Sequence, residues 1–229
     1  LVTLQKSILH GLVVLLVGAM PLSLWYALQY NDYMLLLLCT INFCLAVVLK
    51  IYTSWEKVLL AGLPLIVLVN WLLFSTQEAN LEQILVLLAG SISETQIDIE
   101  TIKIAMMYVI SIYTFIPLII ARWLQAFLYA GDKFRSEFHA IHFSIYTSVA
   151  LVISSILSYL LGLNILAICT LVPFIIAGIS LVHFLVNYKK LAGYWIIIFY
   201  FLLLTLNYTI FVVIVLGIID GILHIRKRI

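Results

Sequence analysis

Residues 165–186, ILAICTLVPFIIAGISLVHFLV, carry no Asp, Glu, Lys or Arg over a length sufficient to cross a lipid bilayer. A helix rises about 1.5 Å per residue, so about 20 apolar residues traverse a hydrocarbon core of about 30 Å while satisfying their own backbone hydrogen bonds. Stretches 8–28, 33–52, 58–74, 102–124 and 141–161 read the same way. A seventh, 194–223, is too long for one crossing: it would run about 45 Å, so it either tilts and protrudes or breaks near Asn207. Composition agrees. Of 229 residues, 66% are hydrophobic and 10% charged, with a mean hydropathy of +1.24, whereas soluble domains have about 45–50% apolar and about 25% charged residues. The expected fold is all-α: a polytopic transmembrane helical bundle of seven to eight apolar segments in one integral membrane domain, 1–229.

Charge orients the bundle. If the segments alternate from an inside N-terminus, Lys6, Lys50, Lys57, Arg122, Lys133, Arg135, Lys189 and Lys190 fall on the cytoplasmic side and Lys103 outside. Two crossings by 194–223 add Arg226, Lys227 and Arg228 to the inside, which places the C-terminus in the cytoplasm. The opposite side is acidic: the outer loop 75–101 holds Glu78, Glu82, Glu94, Asp98 and Glu100. Within it, Asn80–Gln83 and Ser91–Glu94 have the form of capping boxes, the first opening a short interfacial helix that ends near Gly90. That helix reads either as a lid over an outer cavity or as the filling of a long loop. Pro21, Pro64, Pro117 and Pro173 all lie inside apolar segments, where proline removes a backbone bond and kinks the helix. Such kinks gather round cavities, although proline is also simply commoner in membrane helices than in soluble ones.

Several function classes are excluded by what is missing. No His-Glu-x-x-His, Gly-x-Ser-x-Gly or P-loop occurs, and no apolar segment carries paired carboxylates, so the chain is not expected to be an enzyme or to hold a cofactor. Work driven by ATP would need another subunit. With a net charge of +2 and no basic run interleaved with aromatics, nucleic acid is not an expected partner. Cys39, Cys44 and Cys169 sit in apolar runs and behave as small hydrophobes.

The polar residues that remain are few. Arg122, Trp123 and Gln125 close an apolar helix, where Arg122 reads either as an anion ligand or as a cation snorkelling to lipid phosphate. The cytoplasmic loop 131–142 places Phe134, Phe138 and Ile141 at amphipathic helical spacing between Lys133, Arg135 and Glu137, a surface suited to the membrane or to a partner. His139 and His142 have the spacing of metal ligands, with His183, Asp220 and His224 on the same side, but five groups from separate segments need not converge and no metal is expected. Asp220 interrupts an uncharged run and needs a partner; His224, four residues on, makes a structural polar pair that Arg226 extends. Asn42, Asn70 and Asn207 lie within apolar segments, where amides either join helices or line a cavity.

The run Ala121–Ala126, the segment Phe134–Phe138, and Gly217–Asp220 followed by Arg226–Arg228 resemble the YybS-like family of uncharacterised bacterial inner-membrane proteins. The opening Leu1–Leu4 looks like the part of that family that follows a first membrane segment, which implies an N-terminal hydrophobic region absent here. The family is similar in turn to the substrate-binding membrane subunits of energy-coupling-factor transporters, which capture a small molecule and pair with a transmembrane coupling protein and ATPases. The resemblance implies a small-molecule binding or transport subunit embedded in the lipid bilayer, with Asn42, Asn70 and Asn207 lining its cavity and Arg122, Gln125, Arg135 and Glu137 on a docking face. The alternative is a non-transporting scaffold that recruits a protein partner through its cytoplasmic loops.

Overall fold

The computed structural model describes residues 2–30, 33–76, 99–130, 133–206 and 208–228. Most of the acidic outer loop, with Glu78, Glu82, Glu94, Asp98 and both capping boxes, lies outside the described residues, as do Asp132 and Asn207. The described residues are all-helical and contain no strand. Five helices are long and apolar enough to cross a membrane: Ile8–Tyr30, Met34–Tyr52, Trp55–Ser75, Ile102–Tyr129 and Asn164–Tyr188. Three apolar helices are shorter: Ile145–Leu160, Tyr194–Thr205 and Thr209–Leu223. The chain divides into two compact units, Leu1–Ala130 and Gly131–Ile229.

The first unit comprises α1 (Val2–Gln5), α2 (Ile8–Val14), a π-helical stretch (Leu15–Ala19), α3 (Met20–Tyr30), α4 (Met34–Tyr52), α5 (Trp55–Thr76) and α6 (Ile99–Gln125), which passes into a second π-helical stretch (Ala126–Ala130). Ser7 caps α2, its hydroxyl accepting from the His10 N–H. Helices α2 and α3 join through wider π turns that end just before Pro21, a residue with no N–H to give to the preceding turn. Pro64 and Pro117 lie inside α5 and α6. Leu38, Ile41, Leu45 and Leu49 recur every three or four residues on α4 and are buried, together with Val58, Leu59, Ile66 and Val69 of α5 and Phe115 and Leu118 of α6. Gly62 admits the Phe115 ring, because a Cβ there would lie on it. Lys50, in the last turn of α4, donates to the carbonyls of Thr3 and Lys6 at 2.8 Å each. A cation thus satisfies acceptors at the end of α1.

The second unit comprises α7 (Lys133–His139), α8 (Ile145–Leu160), α9 (Asn164–Tyr188), α10 (Tyr194–Thr205), α11 (Thr209–Leu223) and α12 (Ile225–Arg228). Helix α9 is its axis: 72% of its apolar window is buried, against 17–33% for the other four long helices. Glycine accounts for this. A Cβ on Gly178 would meet the Val213 backbone, and one on Gly217 would meet the Phe174 backbone, so α9 and α11 touch main chain to main chain. At Gly221 the space is taken by the Ser148 side chain of α8, and Ser155 of α8 donates to the Ala167 carbonyl of α9 at 3.0 Å. The long segment 194–223 is interrupted: α10 ends at Thr205, Leu206 has extended backbone, and α11 restarts at Thr209. The Thr209 hydroxyl donates across the break to the Leu202 carbonyl at 3.1 Å. At 12 and 15 residues, the two arms run only about 18 and about 22 Å.

Large apolar side chains point outward along both units, among them Leu9, Val17, Leu28, Phe127, Leu160 and Leu204; α10 has no buried residue at all. Such a surface invites aggregation in water and is at home against hydrocarbon, as in a multi-pass membrane protein. If the α9–α11 contact organises the second unit, Gly217→Val should force the helices apart and cost about 1–3 kcal/mol. Gly193→Val, with nothing within 4 Å of a Cβ, should be close to neutral. Melting temperatures in one detergent test the pair.

Candidate functional site

A cavity of about 380 Å³ opens within the first unit, between α1, the α2–π stretch, α4 and α6. Its walls include Thr3, Gly11, Leu15, Asn42, Pro117 and Ala121, and none of the described residues lining it is charged. The π-helical stretch Leu15–Ala19 contributes Leu15 and Ala19 to one wall. Pro117 stands in another, where its ring replaces an N–H in the ladder of α6.

Asn42 is the wall residue with the greatest hydrogen-bonding capacity. Its Nδ2 donates to the Leu38 carbonyl one turn back at 2.9 Å. A carbonyl only accepts, so this contact fixes which end of the amide is nitrogen and leaves Oδ1 as the other end. Oδ1 is enclosed and has no partner among the described residues. A buried amide oxygen without a donor costs about 1–3 kcal/mol; Trp55 Nε1, Ser148 Oγ, Asp220 Oδ1 and His224 Nδ1 are likewise enclosed with no partner among the described residues.

The other sequence-predicted amide that is described is placed differently. Asn70 is fully buried and joins two helices, its Nδ2 donating to the Ile66 carbonyl and to the Ser111 hydroxyl of α6, both at 2.9 Å. Ser111 donates onward to the Met107 carbonyl at 2.6 Å. Asn70 is not among the cavity's lining residues, and Asn207 lies outside the described residues. At the far end of α6, Arg122 donates to Gln125 Oε1 at 2.6 Å, and the Trp123 and Phe127 rings stack at 6.0 Å. In the second unit, Arg135 is exposed and donates to Asn187 Oδ1 at 2.5 Å, tying α7 to the last turn of α9, while Glu137 lies half-buried on α7.

The sequence pairs Asp220 with His224; the structure gives the carboxylate to Arg226 instead. Arg226 Nε donates to Asp220 Oδ2 at 2.8 Å, with side chains 9% and 1% exposed. The correction follows from the backbone. His224 takes the left-handed conformation that ends α11 (φ 48°), so helical i, i+4 geometry stops at it; its N–H donates to the Asp220 carbonyl, and its ring lies edge-on to His142 at 6.1 Å. The turn carries Arg226 back over the helix end. There it also donates to the His139 carbonyl, to the Ser180 hydroxyl at 3.0 Å and to the Ala177 carbonyl at 3.2 Å, and it covers the Phe184 ring at 5.7 Å. Burial pulls the guanidinium down from its usual range and Asp220 opposes that pull. Burial, then the charges of Arg135, His183 and Arg226, hold the His139 imidazole below its ordinary value, favouring its neutral form. Among the described residues, no three of His, Cys, Asp or Glu converge to hold a metal ion.

Sequence reasoning singled out Asn42 and Pro117 but missed Thr3, Gly11 and Leu15 as wall residues, and Ala177, Ser180 and Asn187 as acceptors. None of these carries a signal along the chain, since each is brought to its partner by packing. Comparison with protein-family models, curated proteins and solved structures gives no match.

Removing one partner of a buried ion pair strands the other charge. Arg226→Ala should therefore lower stability by about 3–5 kcal/mol, while Asp220→Asn combined with Arg226→Gln should recover part of that loss. Urea or thermal unfolding of the three proteins, wild type included, measures it; equal losses in the single and double variants would remove the stranded charge as the cause.

Proposed function

We propose that the protein is a multi-pass component of a bacterial inner membrane, with its C-terminus in the cytoplasm, that binds a small molecule in the cavity beside Asn42 and serves as the binding subunit of a transport system. The resemblance to the YybS-like family, and through it to energy-coupling-factor substrate-binding subunits, is the background to this reading. The observation that carries it is the cavity of about 380 Å³, whose walls include Asn42 and no charged residue among those described. Volumes of about 300–1,000 Å³ with few polar groups are typical of small-molecule sites. Energy for transport comes from elsewhere, because the sequence holds no nucleotide-phosphate motif. A transmembrane coupling protein with ATPases would supply it, docking through Arg122 and Gln125 in the first unit and Arg135 and Glu137 in the second.

A ligand that binds only the folded state stabilises it by about 2.7 kcal/mol at one hundred times its Kd. In a thermal-shift screen of vitamins, their precursors and neutral metabolites, at least one compound should raise the melting temperature of the purified protein. Asn42→Leu should abolish that rise. Asn70→Leu should lower the starting stability yet keep the rise, because Asn70 joins helices. Loss of the rise in the Asn70 variant alone would move the site away from the cavity.

Topology is tested separately. In sealed cells, a cysteine at position 228 should react only with reagents that enter the cytoplasm and a cysteine at position 98 with reagents confined outside. External labelling at 228 would mean that residues 194–223 cross once.

A further inference from the structure

The connection between α9 and α10, in the second unit, carries a charged surface that is independent of the cavity. Helix α9 ends at Tyr188, Lys189 caps it, and Lys190 turns the chain in the left-handed conformation (φ 52°). The Leu191 N–H closes the turn by donating to the Val186 carbonyl at 2.9 Å, and the Lys190 N–H donates to the Asn187 carbonyl at 3.1 Å. Glycine is the residue such a turn favours, so lysine stands here against a backbone cost. Both lysines are exposed, and the Lys189 ammonium lies over the Tyr188 ring at 5.9 Å. Arg135 of α7 brings a third cation to the same end, held there by its bond to Asn187. Nothing nearby in the sequence answers this charge. No Asp or Glu occurs between Glu137 and Asp220, and Asp220 is buried against Arg226; among the described residues, no carboxylate pairs with Arg135, Lys189 or Lys190.

An apolar face continues from the cations. Tyr194 and Trp195 open α10 with ring centroids 5.6 Å apart, the residue types that sit at headgroup level in membrane proteins. Beyond them Ile197, Phe201 and Leu204 recur at helical spacing, 64–85% exposed, on a helix with no buried residue. The Tyr200 hydroxyl and His183 Nε2, 3.0 Å apart, keep α10 beside α9.

We infer that this end of the second unit binds an anionic phospholipid, its phosphodiester taken by Lys189 and Lys190 with added charge from Arg135, and an acyl chain lying along Ile197, Phe201 and Leu204. A phosphatidylethanolamine headgroup brings an ammonium among the cations and answers them less well. Free phosphate leaves the apolar face uncovered.

The test adds dioleoylphosphatidylglycerol or dioleoylphosphatidylethanolamine to the full chain in a neutral detergent and reads bound lipid by native mass spectrometry. Phosphatidylglycerol should be retained in preference, and water-soluble glycerol phosphate should not displace it. Lys190→Gly and Lys189→Gln should each weaken retention about fivefold, the factor that about 1 kcal/mol per lysine near an anionic surface gives. Because glycine suits the left-handed turn, Lys190→Gly should do so with a melting temperature equal to or above that of the wild type. Lys57→Gln, which removes an exposed lysine lying over the Tyr52 ring in the first unit, should leave retention unchanged. Full retention in both Lys190→Gly and Lys189→Gln overturns the site, as does an equal fall in Lys57→Gln, which would make net charge the cause. Equal retention of phosphatidylethanolamine overturns the anionic class. Displacement by glycerol phosphate overturns the part played by α10, and a dimer free of lipid would put a second copy on that face instead.

Discussion

Hydrocarbon offers no hydrogen bonds, so every polar group carried into it must find a partner within the protein. Helix formation answers this for the backbone, and several hydroxyls follow the same rule. Thr40 donates to the Leu36 carbonyl at 2.9 Å, Thr114 to Ile110 at 3.0 Å and Thr205 to Phe201 at 2.8 Å. Asn70 and Ser111 satisfy it between helices. Asp220 and Arg226 satisfy it at the end of a helix, where a charge pair with 1% and 9% exposure also gathers the carbonyls of His139 and Ala177 and the hydroxyl of Ser180. Among the described residues, Asn42 Oδ1, Trp55 Nε1, Ser148 Oγ, Asp220 Oδ1 and His224 Nδ1 depart from the rule.

The two units use different means to hold helices together. In the first, the core is conventional: aliphatic rows on α4 and α5 close round Phe115, with Gly62 making room for the ring. The second draws α9 and α11 into backbone contact through Gly178 and Gly217 and fills the remaining space with serine. Apolar side chains gain nothing by leaving lipid for one another, so close van der Waals approach and hydrogen bonds take over as the cohesive terms. The looser packing beside α1 and the π-helical stretch leaves a cavity of about 380 Å³; the glycine contact brings backbones together.

Much of the fold was legible in the sequence because the bilayer imposes a length and an apolar composition that can be read one segment at a time. The segments 8–28, 33–52, 58–74, 102–124 and 165–186 each correspond to a long apolar helix, whereas 141–161 yields only the shorter Ile145–Leu160; for 194–223, which could tilt or break, the structure shows α10 ending at Thr205 and α11 starting at Thr209. The candidate site was legible only in part. Asn42 stood out as an amide in an apolar run, but so did Asn70, and nothing along the chain distinguishes an amide that joins helices from one that lines a cavity. Asp220 stood out as needing a partner, with His224 first and Arg226 extending the pair; the structure gives the carboxylate to Arg226, because the backbone turns left-handed at His224.

What the sequence determined by itself is the class of solvent and the all-helical fold, because hydrophobic length is additive along the chain and needs no knowledge of neighbours; seven to eight segments were expected, and five of the described helices are long enough to cross. Tertiary structure alone decided which polar atoms are satisfied and which are not. A hydrogen bond depends on the position of two groups, and those groups are far apart in sequence: Asn70 and Ser111, Lys50 and Thr3, Arg226 and His139. The cavity beside Asn42 is likewise a product of packing alone, formed where α1, α2, α4 and α6 meet.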